Sequence, residues 1–371
     1  MSQVITVGRT GINNLAYSKI MVSRNSKDHI GFQIFSEDGE KYPGGQTTVH
    51  ASEILEECES LLEDVDDVAS KKGNSPDTVQ DILWRGKGLY DEVFPEYTKK
   101  YFNTLPSNAL IEFNFDDIDI PIEYFSSNGN EFFARQYRVT RLAAKEEPVV
   151  SENYQREATC LLFPIAGVGP NNGLVNDLKS FLNKRNYGEM PKVESITSLG
   201  AQWGSYKLVW VTSHGVVDKK GPALKLFRNY SLRPHTLRRM SPLAVDAFVI
   251  ANACRGGVVR QWFTTRNDFG QAFYSKGASV FVAPSTLIPL DYARQFGEEL
   301  IIEARPGANI LDVMFKFRET SNSGSKIMEE EEKLFRSSYR ITTNLNFRLT
   351  HTVPSLSYSG NFSEQTVGGV K

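Results

Sequence analysis

Short apolar runs punctuated by polar and turn residues make the first fifty residues read as β. "YSKIMVS" (Tyr17–Ser23) and "HIGFQIF" (His29–Phe35) read as short strands, and "SEDGEKYPGG" (Ser36–Gly45) supplies turn chemistry. From Ala51 the spacing becomes helical. Ile54, Leu55, Leu61, Leu62, Val65 and Val68 predict a helix over 51–70, with Ser52 as its cap and an acidic first turn. "KKGNSPDT" breaks that pattern, and a second helical segment over 79–102 precedes a strand at "ALIEFNF" (Ala109–Phe115). "IPIEYF" (Ile120–Phe125) reads as a strand-like run, followed by a Ser-Ser-Asn-Gly turn and a further apolar run to Leu142. A polar, Pro-containing linker is expected at 143–153.

Beyond the linker, strand and helix patterns alternate. Strands are expected at "TCLLFPIAG", "VESITS", "YKLVWVTSHG", "DAFVIANAC" and "ASVFVAPS". Helices are expected at "LVNDLKSFLNKR", "SLRPHTLRRM" and "FGQAFYSKG", then over 290–304 and 308–319. "ETSNSGS" reads as a flexible stretch, "KIMEEEEKLFRSSYRI" as a charged helix, "LNFRLTH" as a last strand and "SGNFSEQTVGGVK" as a disordered tail. Apolar strands alternating with helices imply an α/β fold, a largely parallel sheet covered on both faces. The expected organisation is a β-rich and helical accessory region (1–75), a leading part of the main domain (76–150), an α/β core (151–325) and a closing segment (326–371). No internal repeat is evident.

Composition narrows the function classes. A net charge of −2 over 371 residues gives no support to nucleic-acid binding, which usually shows a basic excess. The three cysteines are far apart and lack CxxC spacing, which argues against a disulfide framework or zinc cluster and for a reducing compartment. No apolar run has the length of a membrane span, and the first residues lack the core of a signal peptide. A cytoplasmic protein with no metal or nucleotide cofactor is expected.

Two strand ends carry chemistry. His214 ends the run "KLVWVTS" and is followed by Gly215. Cys254 ends "DAFVIANA" and is followed by Arg255, Gly256 and Gly257. One crossover separates them, and a right-handed crossover of that length commonly sets its two strands side by side, about 5 Å apart. In such sheets, ligands sit beyond the carboxyl ends of the strands. A thiol needs a base or an imidazolium neighbour to become a competent thiolate, and acyl transfer needs donors aimed at its oxyanion. The Gly215 and Cys254 N–H groups are candidates for that oxyanion hole. A histidine in a tight turn and a core cysteine would each be unremarkable alone. Together, with matching glycines, they favour a Cys–His dyad. Cys58, inside the acidic helix, and Cys160, at the start of a buried strand, read as structural.

"VWVTSHG" and "VIANACRGG" resemble the His and Cys motifs of caspase-like peptidases. The better match is to the bacterial CHAT group, caspase-like domains related to separase. "IPIEYF" resembles the opening of CHAT domains, "GPALKLFRNYSLRPHTLRRM" the segment between His and Cys, and "FGQAFYSKGASVFVAPSTLIPLDYARQFGEEL" their closing part. The similarity spans about Val79 to Thr320. It implies a caspase-like three-layer fold, His214 as general base or ion-pair partner and Cys254 as nucleophile. It also implies Asn252 near the pocket for the residue preceding the cut, and Asp291 as the acid that reads a basic side chain there. A specific protein substrate is implied, in a bacterial defence or signalling setting, such as a companion gasdermin, with an activating complex upstream. The chain departs from the family pattern in its short connection before "YKLVWV", its closing segment, the lack of a preceding repeat array and its first seventy-odd residues.

Other readings stay open. "GVGPNNG" (Gly167–Gly173) invites a phosphate-loop interpretation, yet it lacks the Lys-Ser/Thr of a P-loop and does not fit GxGxxG. The acidic run before Lys333 reads as a solvated helix face. A catalytically inactive interaction module on the same fold, or a cysteine hydrolase of small amides, are the rivals to a peptidase.

Overall fold

A computed structural model describes residues 16–36, 39–70, 76–116, 118–142, 160–163, 180–181, 204, 206, 208–227, 230–243, 247–257, 260–262, 265–303, 310–320 and 326–343. Numbered in chain order among these, the first half holds β1 (Tyr17–Arg24), β2 (Ile30–Ser36), β3 (Lys41–Gln46), α1 (Ala51–Ser70), α2 (Pro76–Val93), α3 (Glu96–Phe102), β4 (Leu110–Phe115), α4 (Phe133–Gln136) and β5 (Arg138–Leu142). Then come β6 (Cys160–Phe163), β7 (Leu208–Thr212), β8 (His214–Asp218), β9 (Gly221–Phe227), β10 (Tyr230–Leu232), α5 (Pro234–Leu237) and β11 (Ala247–Asn252). The rest comprises β12 (Arg260–Trp262), β13 (Thr265–Asn267), α6 (Phe269–Tyr274), β14 (Ala278–Pro284), α7 (Leu290–Glu303), α8 (Ile310–Glu319), α9 (Lys326–Ser337) and β15 (Tyr339–Thr343).

Ten strands form one sheet in the order β3-β2-β1-β4-β5-β15-β14-β11-β7-β6. Strands β1, β4, β5 and β15 are mutually parallel, as are β14, β11, β7 and β6. The two sets run in opposite directions and meet where β15 pairs antiparallel with β14. The strands of the 1–75 region therefore extend the same sheet as the α/β core, joined through β1 on β4.

The central strands are buried on both faces. Trp210, Ile250 and Val282 face one apolar layer with Phe296 and Leu300 of α7, whereas Val209, Val249 and Phe281 face another with Leu237, Phe269 and Phe273. Side chains that alternate between two buried faces define a three-layer α/β architecture. Helix α7 lies close on the sheet: a Cβ at Gly297 would meet the Trp210 ring at 2.1 Å.

Six expectations need correction. Ser52 does not cap α1, which begins at Ala51; its hydroxyl donates to the Asp28 carboxylate instead (2.8 Å). "IPIEYF" is not a strand but a 3-10 turn at Ile122–Tyr124, because Pro121 begins it and Arg141 bonds the Ile120 carbonyl (2.7 Å) and the Glu123 carboxylate (2.9 Å). The helix expected over 79–102 is two, separated at Pro95. "KYPGGQ" is strand β3 rather than a turn, tolerating Pro43 because it lies on the sheet edge. "SLRPHTLRRM" yields strand β10 and only one helical turn, starting at Pro234. The charged helix ends at Ser337, and "YRI" opens β15. The linker 143–153, "VESITS", "GVGPNNG" and "LNFRLTH" lie outside the described residues.

Glu112 generates a pH-dependent prediction. It is 2 % exposed on β4, opposite Lys19 in the β1–β4 register, with Nζ 3.9 Å away. Burial pushes its carboxyl up from 4.5 to about 7 against the pull of Lys19 and the Tyr17 hydroxyl. Folding thus takes up a proton there, and the associated stability is full below pH 4.5 and lost as pH rises through 7. Glu112→Gln should flatten that dependence and be the more stable form above neutrality, by at most about 3 kcal/mol. Urea titrations of both proteins across that range would show it; equal slopes would contradict it.

Candidate active site

Strands β7 and β11 are parallel neighbours, and Thr212 is in register with Asn252. His214 and Cys254 each stand two residues beyond that pair, so they leave the sheet at the same level. The Ser213 N–H bonds the Asn252 carbonyl at 3.4 Å, which carries the pairing one residue past the strand ends. The chain then resumes as β8, whose first residue is His214, and hairpins into β9 with His214 opposite Lys225. This hairpin belongs to a separate three-stranded sheet, β10-β9-β8. The His214 ring is exposed and makes no hydrogen bond or ion pair with a described residue.

Gly215 packs directly against the Cys254 backbone. A Cβ built on it would lie 1.7 Å from the Cys254 carbonyl oxygen and 3.2 Å from the Ala253 carbonyl carbon. Only a residue without a side chain fits there. That is a physical reason for the glycine after His214, and it holds His214 beside the Cys254 backbone.

Cys254 is half-buried, and its Sγ lies 3.8 Å from the Ile288 carbonyl oxygen. Arg255 follows with φ +56°, a left-handed conformation that costs a non-glycine residue roughly 1–2 kcal/mol. Hydrogen bonds to the loop after β14 hold that turn. The Arg255 N–H donates to the Thr286 carbonyl (2.9 Å), and the Gly257 N–H donates to the Pro284 carbonyl (2.7 Å). Behind these loops, the Tyr124 hydroxyl lies 2.9 Å from Thr286 Oγ1. Arg340 donates to the Gly257 carbonyl at 3.1 Å.

Arg340 belongs to a buried cluster of four charges with Asp119, Glu123 and Arg141. Burial alone would raise the Glu123 carboxyl, but the two guanidiniums outweigh it and hold it at about 2.

The other sequence-derived site residues fall as follows. Asn252 is buried at the end of β11; its Nδ2 donates to the Ala293 carbonyl (2.7 Å), and the Tyr339 hydroxyl donates to its Oδ1 (3.3 Å). Burial, and then the charge of a Cys254 thiolate, push the Tyr339 phenol well above its ordinary value. Asp291 is the second residue of α7, immediately beyond the 284–288 loop, and its side chain lies outside the described residues. Cys58 is buried on α1, and burial pushes its thiol far up. Sequence reasoning missed Tyr124, Thr286 and Tyr339. Their contacts join residues tens to hundreds of positions apart, and no local pattern marks them.

Comparison with known structures identifies the architecture. Two crystal structures of the Saccharomyces cerevisiae separase–securin complex, at 3.0 and 2.6 Å resolution, superpose with a TM-score of 0.54 and 10% identity, over 89% and 88% of this chain. The fold is separase-like. The sheet carries a small set of antiparallel strands at its amino-terminal edge. The chain spans about 30% of the length of the chains it matches in those complexes. A protease structure overlaps with a TM-score of 0.44 and 11% identity, over 89% of this chain and 78% of its own, below the level that defines a common fold. No family model and no curated protein matches the sequence. Among the described residues, no helix is long and apolar enough to cross a membrane, and no cluster of potential metal ligands occurs.

Gly215→Ala tests the close approach. The added methyl has to displace the Cys254 carbonyl, and overpacking of this kind costs about 1–3 kcal/mol. Gly88→Ala on helix α2, where a Cβ meets nothing within 4 Å, should instead be neutral or stabilising by about 0.5–1 kcal/mol. Chemical denaturation of the two variants separates these cases, and an undisturbed Gly215→Ala protein would refute the packing described.

Proposed function

We propose that the chain is a cysteine endopeptidase in which Cys254 is the nucleophile and His214 its base. The observation that carries this reading is the common level of the two strand ends, with Gly215 pressed onto the Cys254 carbonyl. The separase-like fold supports it. The Cys254 thiolate adds to the scissile carbonyl carbon, and the carbonyl π pair moves onto oxygen. Backbone N–H groups of Gly215 and Cys254 then stabilise the oxyanion. Collapse breaks the C–N bond, and the leaving amine takes a proton from the His214 imidazolium. Water activated by His214 hydrolyses the thioester and restores the thiol.

Asn252 and Asp291 stand in the segments that flank the nucleophile loop. In this reading Asn252 holds the floor of the pocket for the residue preceding the cut, and Asp291 pairs with a basic side chain there. A defined protein substrate, such as a gasdermin encoded as a companion, a bacterial defence role and an upstream activating complex rest on the CHAT resemblance alone. One observation favours the rival of an inactive interaction module: the His214 ring is exposed and unengaged.

Cleavage of a randomised peptide library decides between them. The wild type should cut after Arg or Lys. Cys254→Ala should abolish cutting, and His214→Ala should lower its rate by about 100-fold or more, the scale of general acid–base catalysis. Cutting after other residues would remove Asp291 from the pocket. A wild-type protein that neither cuts nor alkylates preferentially at Cys254 would favour the inactive module.

A further inference from the structure

Asp66 is a buried carboxylate that the chemistry above does not use. It lies near the end of α1, in the helical row of Leu55, Leu62 and Ala69, three partly buried apolar residues. It is 6 % exposed. Burial raises its carboxyl, opposed by bonds from the Leu287 N–H and the Arg255 guanidinium. An isolated carboxylate in that apolar row would be costly. Its two oxygens explain its presence. Oδ2 accepts from the Arg255 guanidinium, and Oδ1 accepts from the Leu287 N–H.

Those two partners belong to different loops. Arg255 follows Cys254 on the loop after β11, and Leu287 precedes Ile288 on the loop after β14. The loops also bond each other, through Arg255 and Thr286 and through Gly257 and Pro284. Asp66 is thus one anion from the amino-terminal half that fastens both walls of the site. It does so next to Arg255, whose left-handed backbone needs external support.

We propose that Asp66 is a positioning residue, which acts through Arg255 and Leu287 to hold the Cys254 loop and the 284–288 loop in their reactive arrangement. The proposal rests on the peptidase reading for its kinetic form, and on geometry alone for the brace. Asp66 bonds the two loops and not the Cys254 thiol, whose sulfur meets the Ile288 carbonyl. It makes the site conditional on α1, 188 residues before the nucleophile.

The test is a double-variant cycle with Asp66→Asn, Arg255→Lys and both together, on the full chain. Asn cannot accept both bonds as a charged group, and Lys replaces the guanidinium fork with a single ammonium. Each single variant should lower kcat by about 10- to 100-fold, the scale of a reacting group misplaced by about 1 Å, with KM nearly unchanged. The double variant should lose little more than either single one, because both remove the same link. If Asp66 serves only the packing of α1, Asp66→Asn lowers the melting temperature and leaves kcat intact well below it. Should Asp66→Asn fail to fold, Arg255→Lys decides, since it leaves the buried carboxylate in place. Wild-type kcat in a folded variant, or additive losses, would overturn the proposal. If the wild type cleaves no peptide, the peptidase reading fails separately. The brace is then read from iodoacetamide alkylation of Cys254 by mass spectrometry, where the single variants must shift the rate several-fold and non-additively; unchanged rates overturn it.

Discussion

The ion cluster of Asp119, Glu123, Arg141 and Arg340 forms where β5 pairs with β15, the strand whose other edge meets the oppositely running half of the sheet. Arg141 lies on β5 opposite Thr342, and Arg340 lies two residues earlier on β15, so both guanidiniums leave the same face. Two carboxylates meet them, and formal charge cancels. Removing one partner would leave an uncompensated buried charge, which typically costs 3–5 kcal/mol. Arg340 also reaches the Gly257 carbonyl, so the seam and the nucleophile loop share a residue. The position of Cys254 therefore depends on pairing between strands from both ends of the chain.

Much of this was legible in the sequence, and the parts that were not have a common cause. The near-continuous apolar runs of β7, β11 and β14 announced buried strands, and helix α1 matched its spacing over its whole length. His214 and Cys254 could be singled out because strand, residue type and adjacent glycine are all local signals. The misread elements were those where tertiary contacts override local preference. Ile122–Tyr124 is apolar enough for a strand, yet it bends so that Glu123 can meet two arginines. Tyr339–Thr343 follows a helix within one residue and was absorbed into it.

The supporting residues show the same limit. Asp66 is one of many acids on α1, and Glu59 shares its row with Leu55 and Leu62 yet stands exposed. Position on the helix therefore does not single Asp66 out; its partners on two distant loops do. The Tyr124 hydroxyl meets Thr286 on the loop after β14, and the Tyr339 hydroxyl meets Asn252 at the end of β11. Both contacts depend on long-range packing, which sequence alone does not give.

The place of β15 also bears on how the molecule is assembled. It sits between β5 and β14, and the Thr140 hydroxyl meets the Ile341 carbonyl across 201 residues of chain. On a ribosome, β5 and β14 would both emerge long before the strand that joins them, each with an open edge. Contacts of such sequence separation close slowly, because loop entropy must be overcome before any pairing is gained. Open edges in a nascent chain invite pairing with other chains. The nucleophile loop, which leans on Arg340 of that late strand, would be among the last parts of the molecule to take its final shape, so a partly synthesised chain would carry the cysteine without its working surroundings.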